Sequence, residues 1–323
     1  MLNVIMSVLT NIKYQYNLRI LKDILSTNNY PEFFEHLEKL RKNNRLYVQL
    51  LLTLGNSAIL DNKTDVFKSK ILWLSSFSQE DTSYVSNFLS YYNRNIETSL
   101  GDINQYEEKV ISILKNISNI ERLTFSDFVE RSYLYQYLIL SENDNPVKFL
   151  NNHLPFFSSQ NNLNFSKSTL TNSYVYIIDN PYCVYQKIKN KFNGDKTIAQ
   201  NSFLNLDNHS SFIKINDVDV EINKQGWHTH ISSWTDSNVI NSLKGKIILK
   251  KDLIQNTFDV LSSLILHFIQ SGINIKMDYN LIKSFIDENP PESDSIEIDI
   301  SRKEKKFIDN YIIDIVSKFN FEV

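Results

Sequence analysis

Residues 70–92 have the sequence KILWLSSFSQEDTSYVSNFLSYY. The segment opens with an apolar run from Ile71 to Leu74, which predicts a buried strand. Ser75 to Asp81 are predicted to form a small polar loop, and apolar residues then recur at helical spacing from Tyr84 to Tyr92. A strand, a tight polar loop and a helix are the usual frame of a phosphate-binding loop, in which backbone N–H groups at the helix start hold the anion. This loop, however, contains no glycine and no lysine.

Three further short apolar runs predict buried strands later in the chain: Val147–Leu150, Tyr174–Ile178 and Lys246–Leu249. Amphipathic helices are predicted between them, and one long helix is predicted over Leu253–Ser271. The segment 212–222 is predicted to form a short hairpin. Short buried strands separated by long helices indicate an α/β protein with a central, mostly parallel sheet.

The first 65 residues are predicted to be entirely helical, with breaks at 28–31 and 43–44. We therefore expect a helical N-terminal extension over residues 1–65 and an α/β domain over residues 66–323. The apolar stripes of the extension have two interpretations. They pack against the chain's own core, or they form a docking or dimerisation surface.

Composition restricts the class of protein. The 323 residues are 42% hydrophobic, which is enough for a large core, and the net charge of −3 gives no sequence-wide attraction to nucleic acid or to an anionic membrane. The single cysteine, Cys183, excludes an intrachain disulfide and a cysteine-based metal cluster. No apolar run approaches the length of a membrane span, and the N-terminus lacks the features of a signal peptide. We therefore expect a soluble, cytoplasmic protein.

Several segments match a known pattern in order and spacing. They are Trp73–Phe77 (WLSSF), Asn151–His153 (NNH), Tyr176–Val184 (YIIDNPYCV), and a later stretch in which His230 and Trp234 are four residues apart. Together these segments resemble the sulfotransferase family, whose members use 3′-phosphoadenosine 5′-phosphosulfate. The resemblance covers about residues 66–287 and implies a three-layer fold like that of P-loop proteins.

The resemblance also implies positions for a donor site and a catalytic base. His153 stands where the family has its general base, a role that suits a side chain with a pKa near neutrality. Gln79 stands in place of the family's loop lysine, Asp81 in place of a glycine, Asp179 in place of an arginine, and Lys187 in place of a serine. The full set of positions implied for the donor is Gln79, Asp81, Thr82, Ser83, Asp179 and Lys187.

These replacements remove cations and add acids where phosphates would bind, at about 1.5–3 kcal/mol for each lost charge-assisted bond. One hypothesis is therefore a degenerate donor site that binds no cofactor, in a protein with a binding or scaffolding role and a partner or second copy held through residues 1–65. The alternative is a divergent sulfotransferase with His153 as its base and 3′-phosphoadenosine 5′-phosphosulfate as its donor. Under the first hypothesis, Glu80, Asp81, Asp179 and Lys187 are predicted to form a salt-bridge network that fills the vacated pocket.

Two other groups of side chains receive ordinary interpretations. His228 and His230 lie two residues apart, a spacing that separates them on a helix, so no metal site is predicted. The lysines of the segment 244–251 are predicted to form a solvated basic surface. They are Lys244, Lys246, Lys250 and Lys251.

Overall fold

The structure is a computed structural model that describes most of the chain beyond residue 70. The described residues are 2–27, 70–96, 103–115, 121–123, 147–156, 165–168, 170–205, 210–215, 217–223, 226–292, 298–319 and 321, with single residues between 32 and 50 and between 132 and 140. The sequence pattern also predicts a helix over 125–140 and a surface loop over 157–172. Both of these, and the helices expected between 31 and 60, lie largely or wholly outside the described residues.

Eight strands form two sheets in the described part of the chain. In chain order they are β1 (Lys70–Ser76), β2 (Asn104–Gln105), β3 (Arg122–Leu123), β4 (Val147–Asn152), β5 (Thr171–Ile178), β6 (Ser210–Ile215), β7 (Val218–Asn223) and β8 (Gly245–Leu249). The larger sheet has the order β2-β4-β1-β5-β8, and every neighbouring pair in it is parallel. The smaller sheet has the order β3-β7-β6 and contains the predicted hairpin, β6–β7. The predicted α/β class with a parallel central sheet is confirmed.

Helices connect and cover the strands. In chain order they are α1 (Leu2–Ser26), α2 (Gln79–Asn95), α3 (Tyr106–Lys115), α4 (Pro181–Lys191), α5 (Lys196–Leu204), α6 (Trp227–Thr235), α7 (Ser237–Leu243), α8 (Lys250–Gln255), α9 (Thr257–Gln270), α10 (Tyr279–Glu288) and α11 (Arg302–Phe319). No helix among the described residues combines the length and the apolar character that crossing a bilayer requires.

Both faces of the central sheet are buried, which explains the uninterrupted apolar run of β1. Leu72 and Leu74 point to the face that α2, α9 and α10 cover. Ile71 and Trp73 point to the opposite face, against α3, α4, α6 and α11. All four side chains are 0% exposed. The strand therefore needs apolar residues at every position rather than at alternate ones.

A chain of buried polar groups holds Trp73 in place on that second face. The Trp73 indole N–H donates to the Thr171 hydroxyl at 3.0 Å, which lies 2.6 Å from the Ser166 hydroxyl. The Ser166 hydroxyl in turn donates to Gln136 Oε1 at 2.6 Å. Because the indole only donates and the amide oxygen only accepts, the Thr171 proton is directed to Ser166. The Gln136 amide then donates to the Phe165 carbonyl at 2.6 Å, so this buried network is well satisfied.

The connection after β1 is shorter than the sequence predicted. The strand continues through Ser76, and α2 begins at Gln79 with Ser78 as its extended N-cap residue (φ −121°, ψ 138°). Only Phe77 and Ser78 therefore join strand to helix, and Asp81 lies in the first helical turn rather than in a loop.

The predicted long helix over 253–271 is two helices. Asn256 interrupts it with non-helical angles (φ −129°, ψ 41°) and serves as the C-cap residue of α8 and the N-cap residue of α9. Asparagine is common at the N-cap position of helices, although the Asn256 side chain makes no capping hydrogen bond to α9. Gly272 has a φ of +86° just after α9 ends, a conformation that glycine adopts without strain.

Helix α1 makes contact with the main core through its later turns. Leu21 and Ile24 are buried in the cluster that contains Trp73, whereas Ile12 and Tyr16 are 59% and 64% exposed. The later part of this helix therefore packs on the α/β core. The boundary predicted at residue 65 lies outside the described residues and stays a prediction.

Candidate functional site

The topology of the sheet puts its switch point at the carboxyl ends of β1 and β5, where open α/β sheets have a crevice. These two strands are neighbours, but the chain leaves them in opposite directions. From β1 it runs through α2 on one face towards β2, and from β5 it runs through α4 on the other face towards β8. Ligands of open α/β sheets bind outside the carboxyl ends of strands at such a switch point. This crevice is the candidate site.

Four charged side chains meet in this crevice, and we call them the switch-point network: Asp81, Asp179, Lys187 and Lys250. The Lys187 and Lys250 ammonium nitrogens lie 2.7 and 3.3 Å from Asp179 Oδ2. They lie 3.8 and 3.2 Å from Asp81 Oδ1. The side chains of Asp81 and Asp179 are 2% and 4% exposed, and those of Lys187 and Lys250 are 20% and 15% exposed. Two partly buried cations therefore cover two buried carboxylates.

Each member reaches the crevice from a different element. Asp81 lies in the first turn of α2, where the helix dipole favours a negative charge. Asp179 directly follows β5, and Lys187 lies eight residues further on, two turns along α4. Lys250 is the first residue of α8 and directly follows β8. The carboxyl ends of parallel strands share one edge of the sheet, so residues distant in sequence converge there.

Burial and mutual repulsion set the electrostatics of the network. Burial and, second, the charge of Asp179 raise the pKa of Asp81 to about 7, against the opposite effect of Lys250 and Lys187. With both carboxylates ionised the four charges sum to zero. The crevice then offers no net positive charge to an anionic ligand.

His153 follows β4 at the same edge of the sheet. Both of its ring nitrogens are buried, and neither makes a hydrogen bond with the described residues. Burial lowers the pKa of His153 to about 4, although the nearby backbone of Ser76 acts in the opposite direction. The imidazole is therefore neutral at pH 7.

The backbone of His153 is held by a second histidine. His230 Nε2 lies 3.1 Å from the His153 carbonyl, and His230 Nδ1 lies 2.6 Å from the Tyr176 hydroxyl. Burial lowers the pKa of His230 to about 3, so its ring is neutral. A carbonyl only accepts, so Nε2 carries the proton and the Tyr176 hydroxyl donates to Nδ1. With both nitrogens bonded, His230 has a structural role.

The predicted donor-site residues are only partly brought together. Asp81, Asp179 and Lys187 meet in the network, and Gln79 is the first residue of α2. The others point elsewhere. The Thr82 hydroxyl accepts a hydrogen bond from the side chain of Asn151 on β4 at 2.9 Å. The exposed Ser83 hydroxyl donates to the Glu80 carbonyl at 2.7 Å.

The predicted salt-bridge network has a different fourth member. Glu80 is exposed and makes no ion pair with the residues that the structure describes, because it lies about 100° around the helix from Asp81. Lys250 takes its place, so the prediction of a solvated surface is wrong for this lysine. The signal for it was its position directly after a strand parallel to β5, at the edge where Asp179 also lies.

No metal site is present among the described residues. His228 Nε2 lies 3.1 Å from Asp314 Oδ1 near the surface, while His230 is directed into the core. The two rings therefore serve different parts of the molecule.

The chain has no match among protein-family models or curated proteins. The resemblance to sulfotransferases stays a prediction, and the roles of His153 and of the donor-site positions stay predictions with it.

Proposed function

We propose that this chain is a sulfotransferase-like protein with a degenerate donor site and that it acts as a binding or scaffolding protein rather than as a sulfotransferase. The proposal includes the three-layer arrangement of that family and a helical N-terminal extension. The observation that carries it is the switch-point network, which fills the crevice where an anionic donor would bind.

Charge is the first reason. Phosphate groups would meet two buried carboxylates, and both lysines are already within 3.3 Å of Asp179 Oδ2. Each charge-assisted hydrogen bond that such a ligand fails to make weakens binding by about 1.5–3 kcal/mol. Displacing the lysines from their carboxylates would also leave buried charges uncompensated.

Backbone geometry is the second reason. With only Phe77 and Ser78 between β1 and α2, little chain is available to wrap around a phosphate. The Asp81 N–H donates to the Ser78 carbonyl at 3.1 Å, and the Asp81 carboxylate lies in the same first turn of the helix. A negative charge from the chain itself therefore lies where the helix dipole would attract an anion.

The second candidate is a divergent sulfotransferase with His153 as general base and 3′-phosphoadenosine 5′-phosphosulfate as donor. It is favoured by the buried imidazole without hydrogen-bond partners among the described residues. A pKa lowered to about 4, however, makes His153 a weak base at neutral pH, and catalysis is most efficient when the base has a pKa near the working pH.

Titration with 3′-phosphoadenosine 5′-phosphate distinguishes the two candidates. We expect the melting temperature of the full chain at pH 8 to stay constant up to millimolar ligand, because with both carboxylates ionised the network has no net positive charge. A ligand present at 100 times its Kd would add about 2.7 kcal/mol of stability. A rising melting temperature would overturn the proposal, and loss of any accompanying sulfuryl transfer in His153→Gln would then support the second candidate.

We place the partner surface of the proposed scaffold on α1, where Ile12 and Tyr16 are exposed. If the partner is a second copy of the chain, sedimentation of the full-length protein should show a dimer. The double variant Ile12→Lys/Tyr16→Lys should then be monomeric, since two charges on an apolar contact are left without partners. The matched control is Lys13→Gln, an exposed change on the same helix that should leave the dimer intact. A wild-type monomer at all concentrations would exclude self-association.

A further inference from the structure

The two carboxylates of the switch-point network are not equally satisfied. Asp179 accepts three hydrogen bonds, from the Asn180 backbone N–H at 2.7 Å, from Lys187 at 2.7 Å and from Lys250 at 3.3 Å. Asp81 accepts one from Lys250 at 3.2 Å, and its distance to Lys187, 3.8 Å, is beyond hydrogen-bonding range. Both are buried to a similar degree. Of two adjacent buried carboxylates, the one with fewer donors takes up a proton first.

We propose that Asp81, the carboxylate with the fewer donors, is a protonation switch that takes up a proton near neutral pH. The charge of the crevice then changes from zero to +1, and the ionic contact between α2 and α8 is lost while that between Asp179 and α8 remains. This inference goes beyond the proposed function and does not depend on it.

The charged and titratable groups that face Asp81 come from four elements. Lys250 on α8 and Lys187 on α4 favour its ionised form, whereas Asp179 after β5 and its own burial favour the neutral form. Tyr176 of β5 also interacts with Asp81, but burial holds the pKa of that phenol well above its ordinary value, so it stays neutral. Glu80, beside it on α2, is directed to solvent.

Protonation of Asp81 is linked to folding. Its pKa is about 7 in the folded protein, above the ordinary value of 3.8, so the folded state binds the proton more tightly than the unfolded chain does. The contribution of Asp81 to stability is therefore fully present below pH 3.8 and is lost as the pH rises through 7. Between pH 8 and pH 5.5 this linkage corresponds to about a 30-fold increase in the folding equilibrium constant.

Other buried groups also make the stability of the folded protein depend on pH between pH 8 and pH 5.5. Burial lowers the pKa of His153, His230 and His267, so these side chains destabilise the folded protein as the pH falls below 6.5. Burial raises the pKa of Glu107 to about 7, which has the opposite effect. All four groups are also present in a variant of Asp81. Their contributions therefore cancel in the ratio of the wild-type to the variant folding constant.

Urea unfolding of the wild type and of Asp81→Asn at pH 8 and pH 5.5 tests the switch. The ratio of the wild-type to the variant folding constant should rise about 30-fold from pH 8 to pH 5.5. Glu80→Gln, which removes an exposed charge from the same helical turn, should show the pH dependence of the wild type. A ratio that does not change with pH would overturn the proposal.

A direct measurement does not require the variant to fold. In wild-type protein labelled with ¹³C at aspartate carboxyl carbons, one resonance should titrate with a midpoint near pH 7. Where Asp81→Asn is folded, that resonance should be missing from its spectrum. If no aspartate carboxyl of the wild type titrates between pH 6 and pH 8, Asp81 is not a protonation switch.

Discussion

Replacing Lys250 with methionine is expected to lower the free energy of unfolding by about 3–5 kcal/mol at pH 8. Methionine keeps much of the side-chain volume but removes the ammonium group that lies 3.2 Å from Asp81 Oδ1 and 3.3 Å from Asp179 Oδ2. Lys187 alone would then face two buried carboxylates. Removing one partner of a buried charge pair is strongly destabilising because the remaining charge has lost both water and its counterion. Urea unfolding at fixed temperature measures the loss.

The neighbouring lysine provides the control. Lys251→Met changes an exposed lysine in the same turn of α8 and should alter stability by no more than about 0.5 kcal/mol. The loss in Lys250→Met should also be smaller at pH 5.5, where Asp81 is protonated and fewer charges need compensation. If both lysine variants unfold at the same urea concentration, the switch-point network has no part in stability.

Replacing Trp73 with alanine is expected to lower the free energy of unfolding by about 3–5 kcal/mol. The indole is 0% exposed and contacts the rings of Tyr106 and Phe165, with centroids 5.2 and 4.9 Å away. Its removal leaves a cavity between the sheet and its helices. It also removes the N–H group at the start of the hydrogen-bond chain through Thr171.

Two further variants separate these contributions. Trp73→Phe keeps a ring but not the N–H, and should lose about 1–3 kcal/mol because the buried Thr171 hydroxyl then lacks its donor. Tyr279→Ala removes a ring that is 53% exposed and should change stability by less than about 1 kcal/mol. A loss in Trp73→Ala no larger than that in Tyr279→Ala would contradict the central position of this side chain.

The strands were predictable because a parallel sheet buried on both faces requires continuous apolar runs. Ile71–Leu74, Val147–Leu150 and Tyr174–Ile178 all lie within strands of the central sheet. Their limits were less predictable, since Ser75 and Ser76 are polar residues in a buried strand. The Ser75 hydroxyl donates to the Asn152 carbonyl at 2.8 Å, a long-range contact that no local pattern indicates.

The candidate site was predictable where its members are close in sequence. Asp179 and Lys187 are two helical turns apart, so their ion pair could be expected from spacing, and it measures 2.7 Å. The partnership of Asp81 with Lys250 joins residues 169 positions apart and depends on the order of the strands. A single sequence specifies such an order only weakly, and Lys250 was therefore assigned to the surface.

The position of β1 also has a consequence for how the chain folds. This strand pairs with β4 and β5, and Ile71 lies opposite Thr171, one hundred residues later. At a synthesis rate of about 5–20 residues per second, the ribosome needs roughly 5–20 s to supply that partner. Both edges of this apolar strand stay open until β4 has been made, and the edge that pairs with β5 stays open for the whole interval, which exposes it to wrong pairing between nascent chains. The strand on which the sheet is centred must thus keep one edge protected while about one hundred further residues are made.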